Sequence, residues 1–127
     1  MLLLDGVTSF SLESGIGCCV TPTMCSPFVD NGELPALIVL EYFAQAAAAF
    51  CALRASVLGL PPRLGILLGA RKIEVSRDTL PIGVQMHVLA QDVWSDGNAA
   101  QVECTPELGG DVLARGAINV STKPVGA

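Results

Sequence analysis

LPALIVLEYFAQAAAAFCALRASVL, residues Leu34 to Leu58, is apolar on every face except at Glu41, Gln45 and, near its end, Arg54 and Ser56. A helix that is hydrophobic all round is either a membrane span or the buried axis of a globular domain. A carboxylate and an amide one turn apart in its middle, followed by alternating strands able to wrap it, point to the buried axis. Pro35 suits a first helical turn, where its missing N–H is no loss, and Gly59 followed by Pro61 and Pro62 ends the run. At 1.5 Å per residue such a helix is roughly 36 Å long, enough to cross a small domain. The rest of the chain then reads as its coat.

The coat is visible as short alternating segments. Val7 to Leu12 reads as a first strand, and Glu13-Ser14-Gly15 turns the chain into a second, Ile16 to Thr21. Pro22 to Gly32 is a loop with a turn signal at Asp30-Asn31-Gly32. After the helix, Gly65 to Val75 reads as a third strand, buried early and polar later. Val84, Met86, Val88 and Ala90 alternate with Gln85, His87, Leu89 and Gln91, a period of two that only Leu89 spoils. Asp96-Gly97-Asn98 is a hairpin turn. Ala100, Val102 and Cys104 alternate in the next strand, and after Gly109-Gly110 the inward face of the last strand is Val112, Ala114, Gly116, Ile118 and Val120. Consecutive strands joined by short turns make an antiparallel sheet with one apolar face. The fold class is therefore α+β, one long central helix wrapped by a curved antiparallel β-sheet.

Composition fits a single domain spanning 1–127. A chain of 127 residues is short for two domains but long enough to bury about two-thirds of its extended surface. Only 15% of residues are charged, which suggests an apolar interface and hence a homo-oligomer. The net charge of −5 and the lack of a basic stripe argue against a nucleic-acid partner. The opening MLLL is too short for a signal-peptide core and has no basic flank, so a cytoplasmic location without membrane insertion is expected.

Five cysteines, Cys18, Cys19, Cys25, Cys51 and Cys104, form no C-x-x-C pair and read as small hydrophobes. His87, the sole imidazole, lies on the polar side of its strand and is expected to face solvent. One histidine with scattered thiols makes no metal-ligand set, and no glycine loop cradles a phosphate, so neither metal nor cofactor is expected.

The stretch PALIVLEYFAQAAAAF, with RLGILLGARK after it, resembles the hotdog-fold 3-hydroxyacyl-(acyl-carrier-protein) dehydratases, whose central helix carries a similar E-x-x-A-Q-A run, here Glu41 to Ala46. MLLLDGV and SPFVDNGELPA are similar to the branch found in aryl polyene biosynthesis. The resemblance implies a dimer whose two sheets join edge to edge, and a tunnel at the interface for an acyl chain held as an acyl-carrier-protein or coenzyme A thioester. It also implies that the carrier protein docks on basic residues at the tunnel mouth, for which Arg63, Arg71 and Lys72 are the candidates.

Dehydration of a 3-hydroxyacyl thioester needs a base for the α-proton, an acid for the departing hydroxyl and donors for the enolate oxygen. Glu41, a carboxylate on an apolar helix where poor solvation would raise its pKa, suits proton transfer. Gln45 at i+4 shares its face and could orient it. Free backbone N–H groups at the helix start, Ala36 among them, could receive the thioester oxygen. Tyr42 and Phe43 read first as core. Tyr42 nevertheless stands with Ala36 and Glu33 as a substrate-binding candidate.

The dehydratases pair the helix carboxylate with a histidine from a GHFP-like segment, where this chain reads Gly32-Glu33-Leu34-Pro35. Three classes follow. One is a lyase using Glu41 with a water or with a protonated Glu33. Another is a non-catalytic or half-active subunit completed by a second hotdog chain, so that the dimer is a heterodimer rather than a homodimer. The third is a thioesterase with a single carboxylate as base or nucleophile.

Overall fold

In the computed structural model, residues 3–61, 63–95 and 99–124 are described, with backbone alone at 63–68, 92–95, 99–104, 120 and 122–124. Among them the chain forms strands β1 (Gly6–Ser11), β2 (Gly15–Val20) and β3 (Leu34–Pro35), a 3-10 turn at Ala36–Ile38, and helix α1 (Val39–Val57). Strands β4 (Arg63–Val75), β5 (Thr79–Leu80), β6 (Met86–Ser95), β7 (Ala99–Leu108), β8 (Asp111–Val112) and β9 (Ala114–Pro124) follow. The main sheet runs β1-β2-β6-β7-β9-β4, with β8 folded back on β7. Its neighbouring strands are antiparallel throughout. The α+β architecture read from the sequence is the one observed.

The helix starts later than its apolar run. Leu34 and Pro35 are not helical: they pair with Leu80 and Thr79 in a two-stranded ladder, and the Ala36 N–H donates to the Asp78 carbonyl at 2.8 Å. That long-range ladder takes the residues which propensity alone would have put in the first turn. Glu41 consequently lies in the first turn of α1 rather than at its middle. Ahead of the ladder, Asp30 and Glu33 exchange both backbone hydrogen bonds around Asn31 (φ 51°) and Gly32 (φ 76°). Two successive positive φ values make a type I′ turn, the conformation Asn-Gly favours.

One side of α1 carries the core. Val39, Tyr42, Phe43, Ala46, Ala47 and Phe50 are buried against β2, β4, β6, β7 and β9. Met86, Val88 and Ala90 meet them from β6, as their alternation required, and His87 between them is exposed on the opposite face of the sheet. Phe10 of β1 lies 5.8 Å from Phe50, ring to ring, with the Arg54 guanidinium 6.0 Å above the Phe50 ring. Gly116 of β9 leaves room for Phe43 and Ile73: a Cβ there would come within 3.1 Å of Phe43 and overlap Ile73.

The other side of α1 is open. Glu41, Ala48, Ala52 and Ser56 are exposed, and Leu37 and Val57 keep 65% and 61% of their surface accessible. The helix is thus coated on one side by its own sheet and is not wrapped all round. Two further departures are local. Lys72 adopts φ 52° in a bulge between Arg71 and Glu74, which turns Ile73 toward the core and leaves Arg71 and Lys72 outside. In the last strand Ala114, Gly116 and Ile118 face inward as read, but a break at Leu113 ends the alternation there and buries Leu113, bonded to Pro106 and Ser76, in place of Val112. Cys18 is buried, Cys19 and Cys51 are half-buried and Cys25 is exposed. Burial, then Cys19, pushes the Cys18 thiol up, consistent with its reading as an inert hydrophobe. The hairpin turn at 96–98 and the side chain of Cys104 lie outside the described residues.

Candidate active site at the start of the central helix

Glu41 stands on the open side of α1, in its first turn, where the helix dipole favours a negative charge. It is exposed in the single chain, so the poorly solvated carboxylate expected from the apolar run is not found there. Gln45, one turn on, donates from Nε2 to Glu41 Oε1 at 3.3 Å. Its Oε1 accepts from the Leu3 and Leu4 amides at 2.8 and 3.2 Å. Gln45 therefore ties the N-terminal segment to the helix and steers the carboxylate at the same time. Gln45→Ala is expected to lower stability by about 1–3 kcal/mol, since two partly buried amides lose their acceptor. Gln45→Glu keeps that acceptor but faces Glu41 with a like charge, and should cost less in urea unfolding.

The remaining candidates separate. The Ala36 amide, expected to be free for a thioester oxygen, is occupied by the Asp78 carbonyl. Glu33 closes the type I′ turn through its backbone and its side chain is exposed. His87 lies across the sheet from α1. Arg71 and Lys72 are exposed at the β4 bulge, whereas the side chain of Arg63 is outside the described residues.

Tyr42 points away from Glu41, into the protein, with 1% of its surface accessible. Burial first, and the Asp5 carboxylate second, push its hydroxyl from 10.0 up to about 12. The folded-state value lies above the unfolded one, so this contribution is intact below pH 10 and is lost as pH rises through 12. The loss is about 2–3 kcal/mol at 1.36 kcal/mol per pH unit. Unfolding in urea between pH 9 and 12 should show that fall, and Tyr42→Phe should remove it.

Asp5 carried no weight in the sequence beyond its place in MLLLDGV, yet it organises the N-terminal segment. Its N–H donates to the Cys19 carbonyl at 2.8 Å, and its Oδ2 accepts from the Thr21 amide at 2.7 Å. A carboxylate just before β1 whose partner lies sixteen residues on, just after β2, leaves no pattern in the chain.

A family model described as ApeP dehydratase matches residues 1–125. The chain belongs to the ApeP-like dehydratase family. This agrees with the E-x-x-A-Q-A run at Glu41. Among solved structures, the dehydratase heterocomplex ApeI:P from Xenorhabdus doucetiae shares 24% identity and superposes with a TM-score of 0.90, over 98% of this chain and 84% of that one. A Streptococcus mutans protein bound to acetyl-CoA has 10% identity and a TM-score of 0.71, covering 94% of this chain and 88% of its own. A hypothetical thioesterase with coenzyme A from Streptococcus pneumoniae has 7% identity and a TM-score of 0.72, covering 93% and 84%. These likenesses carry the hotdog fold to the ApeP-like chain. No curated protein matches it.

The apolar stretch Ala36–Val57 has the length and composition of a membrane span. In this ApeP-like fold it is the core helix on which the sheet is laid.

Proposed function

We propose that this chain is one subunit of a hotdog heterodimer that dehydrates 3-hydroxyacyl thioesters, supplying Glu41 while a second hotdog subunit supplies the imidazole. One observation carries the reading: Glu41 is presented on an uncovered helix face, and the chain's sole histidine lies across the sheet from it. A carboxylate so placed has an orienting amide in Gln45 but no imidazole beside it. The exposed Leu37 and Val57 on that face, and the outer edge of β4, are the surfaces a second hotdog subunit would cover. Burial of the carboxylate would then come from the partner. The dehydratase family and the likeness to a dehydratase heterocomplex support the same reading.

The acyl group enters as a carrier-protein or coenzyme A thioester in the cytoplasm. Arg71 and Lys72, joined by the exposed Arg77 and by Arg115 opposite Glu74 on β9, gather four of the seven Lys and Arg residues around one end of β4. Such a patch suits an acidic carrier protein in an otherwise acidic chain.

The test is hydration of a trans-2-enoyl thioester, read by mass spectrometry, with this chain alone and after co-expression with a histidine-bearing hotdog subunit. Turnover confined to the co-purified pair supports the proposal. Full turnover by the chain alone overturns the heterodimer. Release of free thiol in place of hydration marks a thioesterase.

A further inference from the structure

Beside the N-terminal segment is a cleft of about 240 Å³ whose lining includes Leu3, Asp5, Thr21, Cys25, Ser26 and Tyr42. Its floor holds an unsatisfied group: the Tyr42 hydroxyl, on a side chain 99% removed from solvent by its 1% accessibility, takes part in no hydrogen bond among the described residues. Asp5 faces the same cleft. Its Oδ2 is engaged by the Thr21 amide, and its other oxygen has no hydrogen-bond donor among the described residues. A buried hydroxyl left without a partner is costly, and the cleft has room for a ligand group to supply one.

The two free groups define that ligand. Tyr42 Oη can donate, and Asp5 Oδ1 can accept. An anion would be repelled by Asp5, and a cation offers Tyr42 no acceptor. A neutral hydroxyl satisfies both through one oxygen, and the Leu3 and Val20 side chains suit an apolar chain carrying it. Glu41 and Tyr42 are successive helix residues about 100° apart around the axis, and Glu41 is not among the residues lining the cleft, whereas Leu3, held by Gln45, is. A hydroxyl bound at Tyr42 is therefore not one being eliminated beside Glu41.

We propose that this cleft is a subsite for a hydroxyl group on the distal part of an acyl chain, with Tyr42 donating to its oxygen and Asp5 accepting its hydrogen. The inference rests on the acyl-thioester reading for the chain that bears the hydroxyl.

The probes are the N-acetylcysteamine thioesters of 6-hydroxyhexanoate and hexanoate, titrated calorimetrically into the full chain and, separately, into its complex with the second subunit. The hydroxylated probe should bind about tenfold more tightly and shift the Thr21 amide resonance. Tyr42→Phe should abolish that preference while leaving hexanoyl binding unchanged. Asp5→Asn, which keeps an oxygen for Thr21, should weaken the preference independently. Equal binding of the two probes, or a preference that survives Tyr42→Phe, overturns the subsite and leaves the acyl-thioester reading standing. No binding of either probe overturns both. Tyr42→Phe removes a hydroxyl that bonds nothing among the described residues, so a melting temperature no lower than the parent's is the control for folding.

Discussion

Glu41→Gln is expected to reduce hydration of a trans-2-enoyl thioester by the proposed heterodimer by about 10²–10⁴-fold, the range that a positioned acid or base contributes. Gln keeps the length and shape of the side chain and its place beside Gln45, while removing the ability to exchange a proton. Because Glu41 is exposed in the free chain, the substitution should leave the unfolding free energy within about 0.5 kcal/mol of the parent. A group acting on the reacting atoms should lower kcat with little change in KM. Steady-state rates, with size-exclusion chromatography to confirm that the pair still assembles, decide the matter. An unchanged kcat would remove Glu41 from the chemistry and reduce this subunit to a scaffold.

Phe43→Ala should have the largest effect on stability. The ring has no accessible surface and fills the space that Gly116 leaves open opposite Ile73. Truncating a buried Phe costs about 3–5 kcal/mol in lost transfer energy and residual cavity, against a typical total of 5–15 kcal/mol for a domain. Urea unfolding should show a midpoint shifted strongly downward, with the protein near the threshold of folding at 37 °C. Leu37→Ala is the matched control. At 65% exposure it should change the free chain by less than about 0.5 kcal/mol, and its effect should emerge only as weaker binding to the second subunit.

The parts of this molecule that could be read from the chain are those whose cause is local. Met86, Val88 and Ala90 alternate because a strand presents every second residue to the core, and Asn31-Gly32 turns because those two residues tolerate positive φ. The E-x-x-A-Q-A run at Glu41 was legible as a family mark. The misreadings have non-local causes. Leu34 and Pro35 leave the helix because Leu80 and Thr79, some 45 residues later, are there to pair with them, and Ala36 loses its free amide to Asp78 in the same ladder. An apolar face covered by the chain's own sheet and one left open have the same composition, so the exposure of Glu41 had no signature. Nor did the meeting of Asp5 with Tyr42 across 37 positions, or the bulge that gives Lys72 its left-handed backbone.

The two borders of the main sheet differ. β1 has six residues, interrupted by an irregularity between Val7 and Ser9, whereas β4 at the other border has thirteen. A short, kinked border is a poor template for adding strands; β4 is kinked as well, between Leu67 and Gly69 and between Arg71 and Glu74, but keeps a regular run over Arg63 to Leu67. Of the two borders, that regular run of β4 is the better template for a second subunit. Were the proposed partner to add to β4, the composite sheet would present the two short β1 borders outward, where further strands add poorly. The same asymmetry would then limit open-ended growth of an apolar, weakly charged chain.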